Sequence, residues 1–386
     1  MMTGRGSWRA AILETIRAND PTRRFKNARD QLRSVPMKGP AFALGLVVLL
    51  SSCQIDEPNP IPPPGSSTPK DHLSQLGIFQ GPLAALTPAP GVIPYDINVP
   101  LYSDGAQKRR FMILPPTQRL AAPVDDTTDR WVIPAGTYFV KNFFFPNDAR
   151  DQTKGIHLVE TRFLVRTAEG YLASTYLWNT DQTDAIVSGG NVDVPVQWID
   201  EQGVQHAQSF HVPGTSYCQD CHDQRALGIR TRQMDLAGAF SDGSTNQIDF
   251  LMAEGVLDAR PPAGVTLSDP TGTGPMDGRA RSYLDANCAH CHAERGLASG
   301  TRLYLDYEHT DPSSLASLAI CRQVPAVAGR DRVIVPGHPE QSEFLARMES
   351  PDPFVRMPLG PIRIPDGAGI AVLSEWVTAM SPAGCP

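Results

Sequence analysis

The sequence predicts an α+β protein of several domains, in which an N-terminal antiparallel β-domain is followed by α-helical units. Residues 73–213 contain runs rich in β-branched and aromatic residues that are separated by turn-forming residues. Apolar residues at helical spacing follow in 277–386. Stretches rich in proline or glycine, 53–72 and 263–276, mark a tether before the β-domain and a linker before the last domain.

The β-domain is predicted from strands and hairpins. Two of its strands are expected over 131–145 and 156–166, where aromatic and β-branched residues are frequent. Short turns rich in glycine and acidic residues predict two hairpins, one around Glu169-Gly170 and one over 200–203. The pattern does not decide between a sandwich and a barrel.

Four polar residues of this domain are candidates for a catalytic role. Such side chains are more often exposed or satisfied by neighbours than catalytic, and the sequence therefore predicts no catalytic residue. They are Asp104, Lys141, His157 and Glu160.

Two copies of the pattern C-x-x-C-H follow the β-domain. The first is Cys218-Gln219-Asp220-Cys221-His222, and the second is Cys288-Ala289-His290-Cys291-His292. In this pattern two cysteines form thioethers to the vinyl groups of one haem, and the next histidine ligates the iron. A zinc half-site, a redox dithiol or a structural disulfide would not need that histidine. The sequence predicts two covalently attached haem c groups.

The second motif is surrounded by further parts of a small cytochrome. A predicted helix begins at Asp277 and leads into Cys288, and two more are expected over 339–349 and 366–380. We therefore predict α-helical cytochrome c units after the β-domain. Residues 277–386 form a mono-haem domain, and residues 214–262 form a first haem-binding segment.

The axial ligands are predicted in part. His222 and His292 are the proximal ligands, and Met357, in a Met-Pro step of a predicted loop, is the distal ligand of the second haem. Met348 competes with Met357, but its place on a predicted helix favours core packing. The distal position of the first haem is open: it is vacant or filled by His157, His206, His211, Met234 or Met252.

The N-terminus resembles the signal of an exported lipoprotein. An apolar run over 41–50 precedes Leu50-Ser51-Ser52-Cys53 and is too short to span a bilayer. Residues 1–52 are therefore predicted to be an upstream extension and a signal peptide, with translation starting at Met37. A twin-arginine signal at 22–26 fits less well, because its spacing is wrong. Cys53 is the predicted lipidation site, and Gln54 favours a periplasm-facing place on the outer membrane.

The remaining cysteines predict a disulfide. Of seven cysteines, one is assigned to lipid and four to haem, which leaves Cys321 and Cys385. In an exported protein such a pair is expected to be oxidised.

The exported part of the chain is strongly acidic. The whole chain has a net charge of −7, and residues 1–52 hold nine basic and three acidic residues. Without them 25 basic and 38 acidic residues remain, a net charge of −13. Such a surface does not indicate nucleic-acid binding and suits a basic redox partner.

Seven stretches accompany the two C-x-x-C-H motifs: 94–96, 101–104, 108–111, 159–162, 176–179, 283–288 and 335–339. Together with the motifs they resemble a family of uncharacterised exported diheme c-type cytochromes, often encoded beside parallel β-helix repeat proteins. The resemblance extends over most of the exported chain and implies electron transfer by two covalent haems.

These observations predict single-electron transfer outside the cytoplasm of a Gram-negative-type bacterium. Two alternatives remain. One is a diheme enzyme, such as a peroxidase or the cytochrome subunit of a periplasmic dehydrogenase. The other is a surface binding module whose haems are auxiliary.

Overall fold

The computed structural model of the protein describes residues 70–123, 130–222 and 226–385. The predicted signal peptide with its start at Met37, the lipidation site Cys53 and nearly all of the tether lie outside the described residues.

A six-stranded antiparallel sheet forms the centre of the N-terminal part. Its strands follow one another in space as they do in sequence, in the order β3 to β8. Two further pairs, β1 with β2 and β9 with β10, are antiparallel hairpins outside this sheet. The strands are β1 Phe79–Gln80, β2 Thr87–Pro88, β3 Ile93–Tyr95, β4 Gln107–Ile113, β5 Tyr138–Pro146, β6 Ile156–Arg166, β7 Tyr171–Trp178, β8 Ala185–Ser188, β9 Val192–Ile199 and β10 Gln205–Val212.

The two faces of this sheet are covered by different parts of the chain. Side chains alternate between the faces along each strand. On one face Val140, Phe163 and Tyr176 pack against the N-terminal segment 73–92. On the other face one apolar cluster is completed by the β9–β10 hairpin, and a second by residues 226–257. This second face therefore carries the segment that surrounds the first C-x-x-C-H motif.

The helices are short. None of those in the described residues is long and apolar enough to cross a membrane. They are α1 Thr215–His222, α2 Thr231–Met234, α3 Gln247–Ala253, α4 Met276–Asn287, α5 Pro312–Leu318, α6 Glu343–Glu349 and α7 Gly367–Thr378.

The predicted fold class, a β-domain followed by α-helical cytochrome c units, is wrong. The protein is mostly β-sheet with a few short helices, at 25% strand and 23% helix, and the described residues contain no α-helical cytochrome c unit. The segment 339–349, which was predicted to be one helix, shows how the structure differs. Ser342 is extended (φ −92°, ψ 119°) and separates a 3₁₀ turn from α6, and its hydroxyl accepts a hydrogen bond from the Val335 amide. Turns and isolated bridges, rather than helices, form most of the chain between α4 and α7.

The C-terminal part has its own apolar core, in which α4 packs against α7. At their contact the Tyr283 ring lies against the backbone of Gly369, where any Cβ would overlap the ring. Trp376 donates from its indole nitrogen to Asp277 over 3.1 Å. A disulfide joins Cys321 to Cys385, with their Cα atoms 5.5 Å apart, and so attaches the C-terminal end to the rest of this part.

Candidate functional site

The second motif begins where α4 ends. The Cys288 amide donates to Leu284 O over 2.8 Å, and the His292 amide donates to Cys288 O over 2.9 Å. These bonds continue the helical path for one turn past Asn287. The motif thus has both cysteines and the histidine within a single turn, as attachment to one macrocycle requires.

His292 is partly buried, and its ring nitrogens have distinct roles. Nδ1 lies 3.2 Å from Leu303 O. A carbonyl oxygen only accepts hydrogen bonds, so Nδ1 carries the proton and Nε2 carries the lone pair. Burial lowers the pKa of His292, which favours the neutral ring. A histidine that donates one nitrogen to a backbone carbonyl presents the other to a metal.

Cys288 does not have the electrostatics of a reactive thiol. Cys288 and Cys291 are thiols in the structure. Burial, and secondarily the nearby Cys291, raises the pKa of Cys288 to about 12. Redox dithiols and zinc thiolates depend on a lowered thiol pKa. The two thiols and the His292 Nε2 instead suit a haem that is attached through carbon–sulfur bonds and ligated by one imidazole.

No cluster of three or more histidine, cysteine, aspartate or glutamate residues that could hold a metal ion occurs among the described side chains. Haem iron takes four nitrogen ligands from its macrocycle, so the protein has only to supply the axial ligands. A haem site therefore needs no such cluster.

The two candidate methionines lie in different environments. Met348, on α6, is buried in the C-terminal apolar core beside Leu345 and Trp376. Met357 is partly buried outside that core, and its amide donates to Arg347 O over 2.9 Å. A core position gives Met348 a packing role, whereas Met357 lies in a loop and has no such role.

Asp104, from the turn before β4, holds the loop that follows Met357. It is buried, with 3% of its surface exposed, and its carboxylate accepts from the Arg363 and Ile364 amides at 3.0 Å. Arg356 closes the same loop by donating to the carbonyls of Ile362 and Arg363. Sequence reasoning treated Asp104 as an ordinary polar residue. The signal was its Asp-Gly step, since Asp104 has a φ of 46° that few residue types adopt.

A second bond joins this turn to the second motif. The Tyr102 amide donates to Asn287 Oδ1 over 2.7 Å, directly before Cys288. One turn of the N-terminal part therefore contacts both the motif and the loop that carries Met357.

The first motif lies on α1, which packs against β7. Cys218 is buried with 9% of its surface exposed, and His222 is partly buried. The side chain of Cys221 lies outside the described part. Close by in sequence, Arg230 and Arg232 form ion pairs with the buried Asp285 of α4, so the two motif regions contact each other.

Two histidines are candidates for the distal ligand of the first haem, and each has one ring nitrogen bonded to a side chain. His206 Nε2 lies 2.7 Å from an Asp200 carboxylate oxygen, and the ring stacks on Trp198. His211 Nδ1 lies 2.6 Å from Asp193 Oδ1 and 2.8 Å from the guanidinium of Arg363.

The other three candidates are not brought together with the motif by any described contact. Met234 is fully buried in an apolar cluster, and its sulfur lies 3.8 Å from Gln247 Nε2. Met252 is 38% exposed. Burial lowers the pKa of His157, on β6. The distal position of a first haem thus has no assigned side chain.

Comparisons of the chain with protein families, curated proteins and solved structures found no match.

Proposed function

We propose that this chain is a diheme c-type cytochrome that transfers single electrons outside the cytoplasm. The observation that carries the proposal is the hydrogen bond from His292 Nδ1 to Leu303 O within a C-x-x-C-H turn. It fixes the tautomer that a proximal ligand needs. A bound haem supplies a reversible one-electron change at iron.

The residues have separate roles in this proposal. The thiols hold the two macrocycles covalently, His222 and His292 donate Nε2 to the irons, and Met357 supplies a thioether to the second iron. A thioether ligand favours the reduced state and raises the potential. The four attachment thiols are those of Cys218, Cys221, Cys288 and Cys291.

The proposal includes a location and partners. Lipid on Cys53 would anchor the chain to a membrane, which we propose to be the outer membrane, with the protein facing the periplasm. The acidic exported part suits a basic redox protein as partner, and nucleic acid is not proposed. The resemblance to exported diheme cytochromes adds a parallel β-helix repeat protein as a candidate neighbour.

The haem content per chain tests the proposal. Protein matured in a host that attaches haem c is expected to give two haems by pyridine haemochrome. The double variants C218A/C221A and C288A/C291A should each give one. A wild-type protein without covalent haem would refute the function, and a value of one that only C288A/C291A abolishes would refute the first site.

The distal ligand is tested by a matched pair of variants. Met357→Ala should abolish the weak far-red absorbance that reports methionine ligation of ferric haem, whereas Met348→Ala should retain it. Loss of the band in Met348→Ala alone would assign the ligand to Met348.

A diheme enzyme is the second candidate, and one observation favours it. Met234 is fully buried in an apolar cluster, and no described contact brings any of the five candidate side chains to the first motif, which is compatible with an open iron position at the first haem. A high-spin signal from one haem together with peroxide-dependent turnover would favour the enzyme, and two low-spin haems would favour the electron carrier.

A further inference from the structure

The loop between α6 and α7, residues 350–366, carries Met357 and contains no helix or strand. Segments of this length without regular structure are uncommon in compact domains and keep one conformation only through specific contacts. A metal ligand on such a loop needs those contacts, because an axial ligand has to be held at bonding distance from the iron. The groups that hold this loop therefore bear on the ligation of the second haem.

Contacts with α6 hold the part of the loop around Met357. The Met357 amide donates to Arg347 O over 2.9 Å, and Arg347 Nε donates to Val355 O over 2.8 Å. Burial lowers the pKa of His292, and the positive charge of Arg347 lowers it further. The residue that holds Met357 therefore lies near the proximal ligand of the second haem.

A buried arginine closes the second half of the loop. Arg356, with 6% of its surface exposed, donates to Ile362 O over 2.5 Å and to Arg363 O over 3.0 Å. These bonds bring the two ends of the segment 356–363 together. The side chain next to Met357 thus gives this segment a defined shape.

Asp104 attaches the end of the closed segment to the N-terminal part. Its buried carboxylate accepts from the amides of Arg363 and Ile364, each at 3.0 Å. The Arg363 guanidinium adds an ion pair with Asp193 of β9 at 2.8 Å. Asp104 and Arg363 are 259 residues apart in sequence, so the position of the loop depends on the N-terminal part as well as on its own core.

The turn that contains Asp104 is itself held by the β-strands around it. The Ala106 amide donates to Ser103 O over 2.8 Å, and Gln208 of β10 donates to Asp104 O over 2.6 Å. Asp104 has a φ of 46°, in the left-handed region that aspartate adopts at less cost than most residues. A turn with this geometry presents the carboxylate in one direction.

The same turn contacts the proximal side of the second motif. The Tyr102 amide donates to Asn287 Oδ1 over 2.7 Å, and Asn287 Nδ2 donates to Tyr283 O over 3.2 Å. Asn287 directly precedes Cys288, so these bonds hold the end of α4 where the motif begins. One turn therefore holds both the start of the motif that contains His292 and the end of the loop that contains Met357.

We propose that the turn 101–105 is a clamp that fixes the two axial ligands of the second iron relative to each other, with Asp104 as a positioning residue for Met357. The inference rests on the proposed function, in which His292 and Met357 ligate that iron. Hydrogen bonds that hold the segment of a ligand orient the ligand and tune the metal. The N-terminal part then affects the redox chemistry, because a thioether kept on the iron raises the potential.

Asp104→Gly and Asp104→Asn are a matched pair that tests the clamp. Both new residues tolerate a positive φ, but only asparagine keeps an acceptor oxygen for the loop amides. In the haem-loaded protein, Asp104→Gly should lose most of the far-red absorbance that reports methionine ligation. The midpoint potential of the second haem should become more negative, and that of the first should not change. Asp104→Asn should retain the band. A band of wild-type intensity in Asp104→Gly would overturn the proposal.

Asp148→Ala controls for a general loss of stability. Asp148 is a buried carboxylate of the same N-terminal part that pairs with Arg150 and Lys154, and none of its described contacts reaches the loop 350–366. Removing one partner of buried ion pairs destabilises a fold. This variant should therefore unfold at a lower urea concentration and keep the far-red band. A band lost as fully as in Asp104→Gly would overturn the positioning role.

Amide hydrogen exchange gives a readout that does not depend on the second haem. In C288A/C291A, the Arg363 and Ile364 amides should exchange about tenfold faster when Asp104→Gly is added, because both lose their acceptor. Adding Asp104→Asn should have a smaller effect. Exchange that Asp104→Gly leaves unchanged would show that Asp104 does not hold the loop, and would overturn the proposal.

A double-mutant cycle tests whether the two contacts of the turn act together. Asn287→Ala removes the acceptor of the Tyr102 amide, and Asp104→Gly removes that of the loop amides. Either change breaks a single clamp, so the double variant should shift the potential of the second haem no further than the larger single effect. Shifts that add fully would overturn the clamp.

Met357→Ala separates this inference from the proposed function. Two covalent haems and a far-red band that Met357→Ala abolishes, with no effect of Asp104→Gly, would refute the clamp alone. Protein without haem at the second motif, or with a band that Met357→Ala leaves intact, would refute the proposed ligation and the clamp with it.

Discussion

The two motif regions are built in different ways. The helices around the first motif have four to eight residues, and its apolar side chains share a cluster with the sheet. The second motif follows a helix of twelve residues and belongs to a part with its own apolar core and a disulfide. The first region thus shares its apolar core with the sheet, whereas the second has a core of its own.

Polar contacts, rather than a shared core, join the second region to the rest. They include the bond from the Tyr102 amide to Asn287, the bonds of Asp104 to the loop after Met357, and the ion pairs of Asp285. Hydrogen bonds and ion pairs need defined geometry and contribute modestly to stability. The arrangement sets the position of the second region without merging the two cores.

The largest effect is expected from removal of the disulfide, which should destabilise the second region and leave the stability of the sheet unchanged. The double variant C321A/C385A opens a link between residues 64 positions apart, and the chain-entropy estimate for such a loop is ~4 kcal/mol. Native-state hydrogen exchange should show this loss in residues 276–385 and none in the sheet. Equal loss in the sheet would show that the two regions unfold as one unit.

Leu251→Ala should destabilise the first region and the sheet. Leu251 is fully buried in the cluster shared by α3 and the sheet, and deletion of such a side chain costs about 3 kcal/mol. Hydrogen exchange should increase in the sheet and in residues 226–257 together. The neighbouring Met252→Ala, at an exposed position, is the control and should change stability little. Protection that falls only in α3 would contradict the shared core.

Gly369→Ala tests the helix contact of the second region. The added methyl overlaps the Tyr283 ring, and such overpacking costs about 2 kcal/mol. Gly367→Ala on the same helix meets no atom within 4 Å and should be neutral or slightly stabilising. The free energies of unfolding from urea titrations compare the two. Equal effects would mean that the contact does not constrain the helices.

Asp104→Asn should have the smallest effect on stability. It tests the hydrogen bonds that join the turn before β4 to the loop after Met357. Asparagine tolerates the left-handed backbone and keeps one acceptor oxygen, so a loss of about 1 kcal/mol is expected. Burial raises the pKa of Asp104. Its contribution to stability is therefore fully present below the unfolded pKa and declines as pH rises through the folded pKa. The stability difference between wild type and variant, from urea titrations at several pH values, should be larger in acid than at neutrality. The opposite trend would contradict the raised pKa.

The sequence was most informative at the cysteines. The second C-x-x-C-H motif occupies one turn, and the pairing of Cys321 with Cys385, inferred by counting cysteines, is present. The preference for Met357 over Met348 stays a prediction, although their environments differ in the expected sense.

The helical units were wrong for a physical reason. Apolar periodicity was clear in the segments that became α4 and α7, and one helix, over 339–349, was expected in the intervening chain. That chain instead satisfies its backbone groups in turns and bridges, such as Ile320 with Ile334.

The alignment of basic residues across the sheet could not be found from sequence, because it depends on the register of the strands. Arg110, Lys141 and Arg162 lie on three strands, and only the pairing of β4, β5 and β6 places them side by side. Lys141 and Glu160 were each weighed singly and dismissed. Basic residues at alternate positions of neighbouring strands were the available signal.

The connection of the first region to the sheet has a consequence for biogenesis. One apolar cluster contains residues far apart in sequence, such as Met112 and Leu251, and contacts between such residues form late in folding. The strands up to Val212 can pair while the following segment is still open. In the proposed diheme protein, Cys218 and Cys221 would be accessible to an attachment enzyme until residues 226–257 pack against the sheet, so the order of haem attachment and packing would determine whether the first haem is attached.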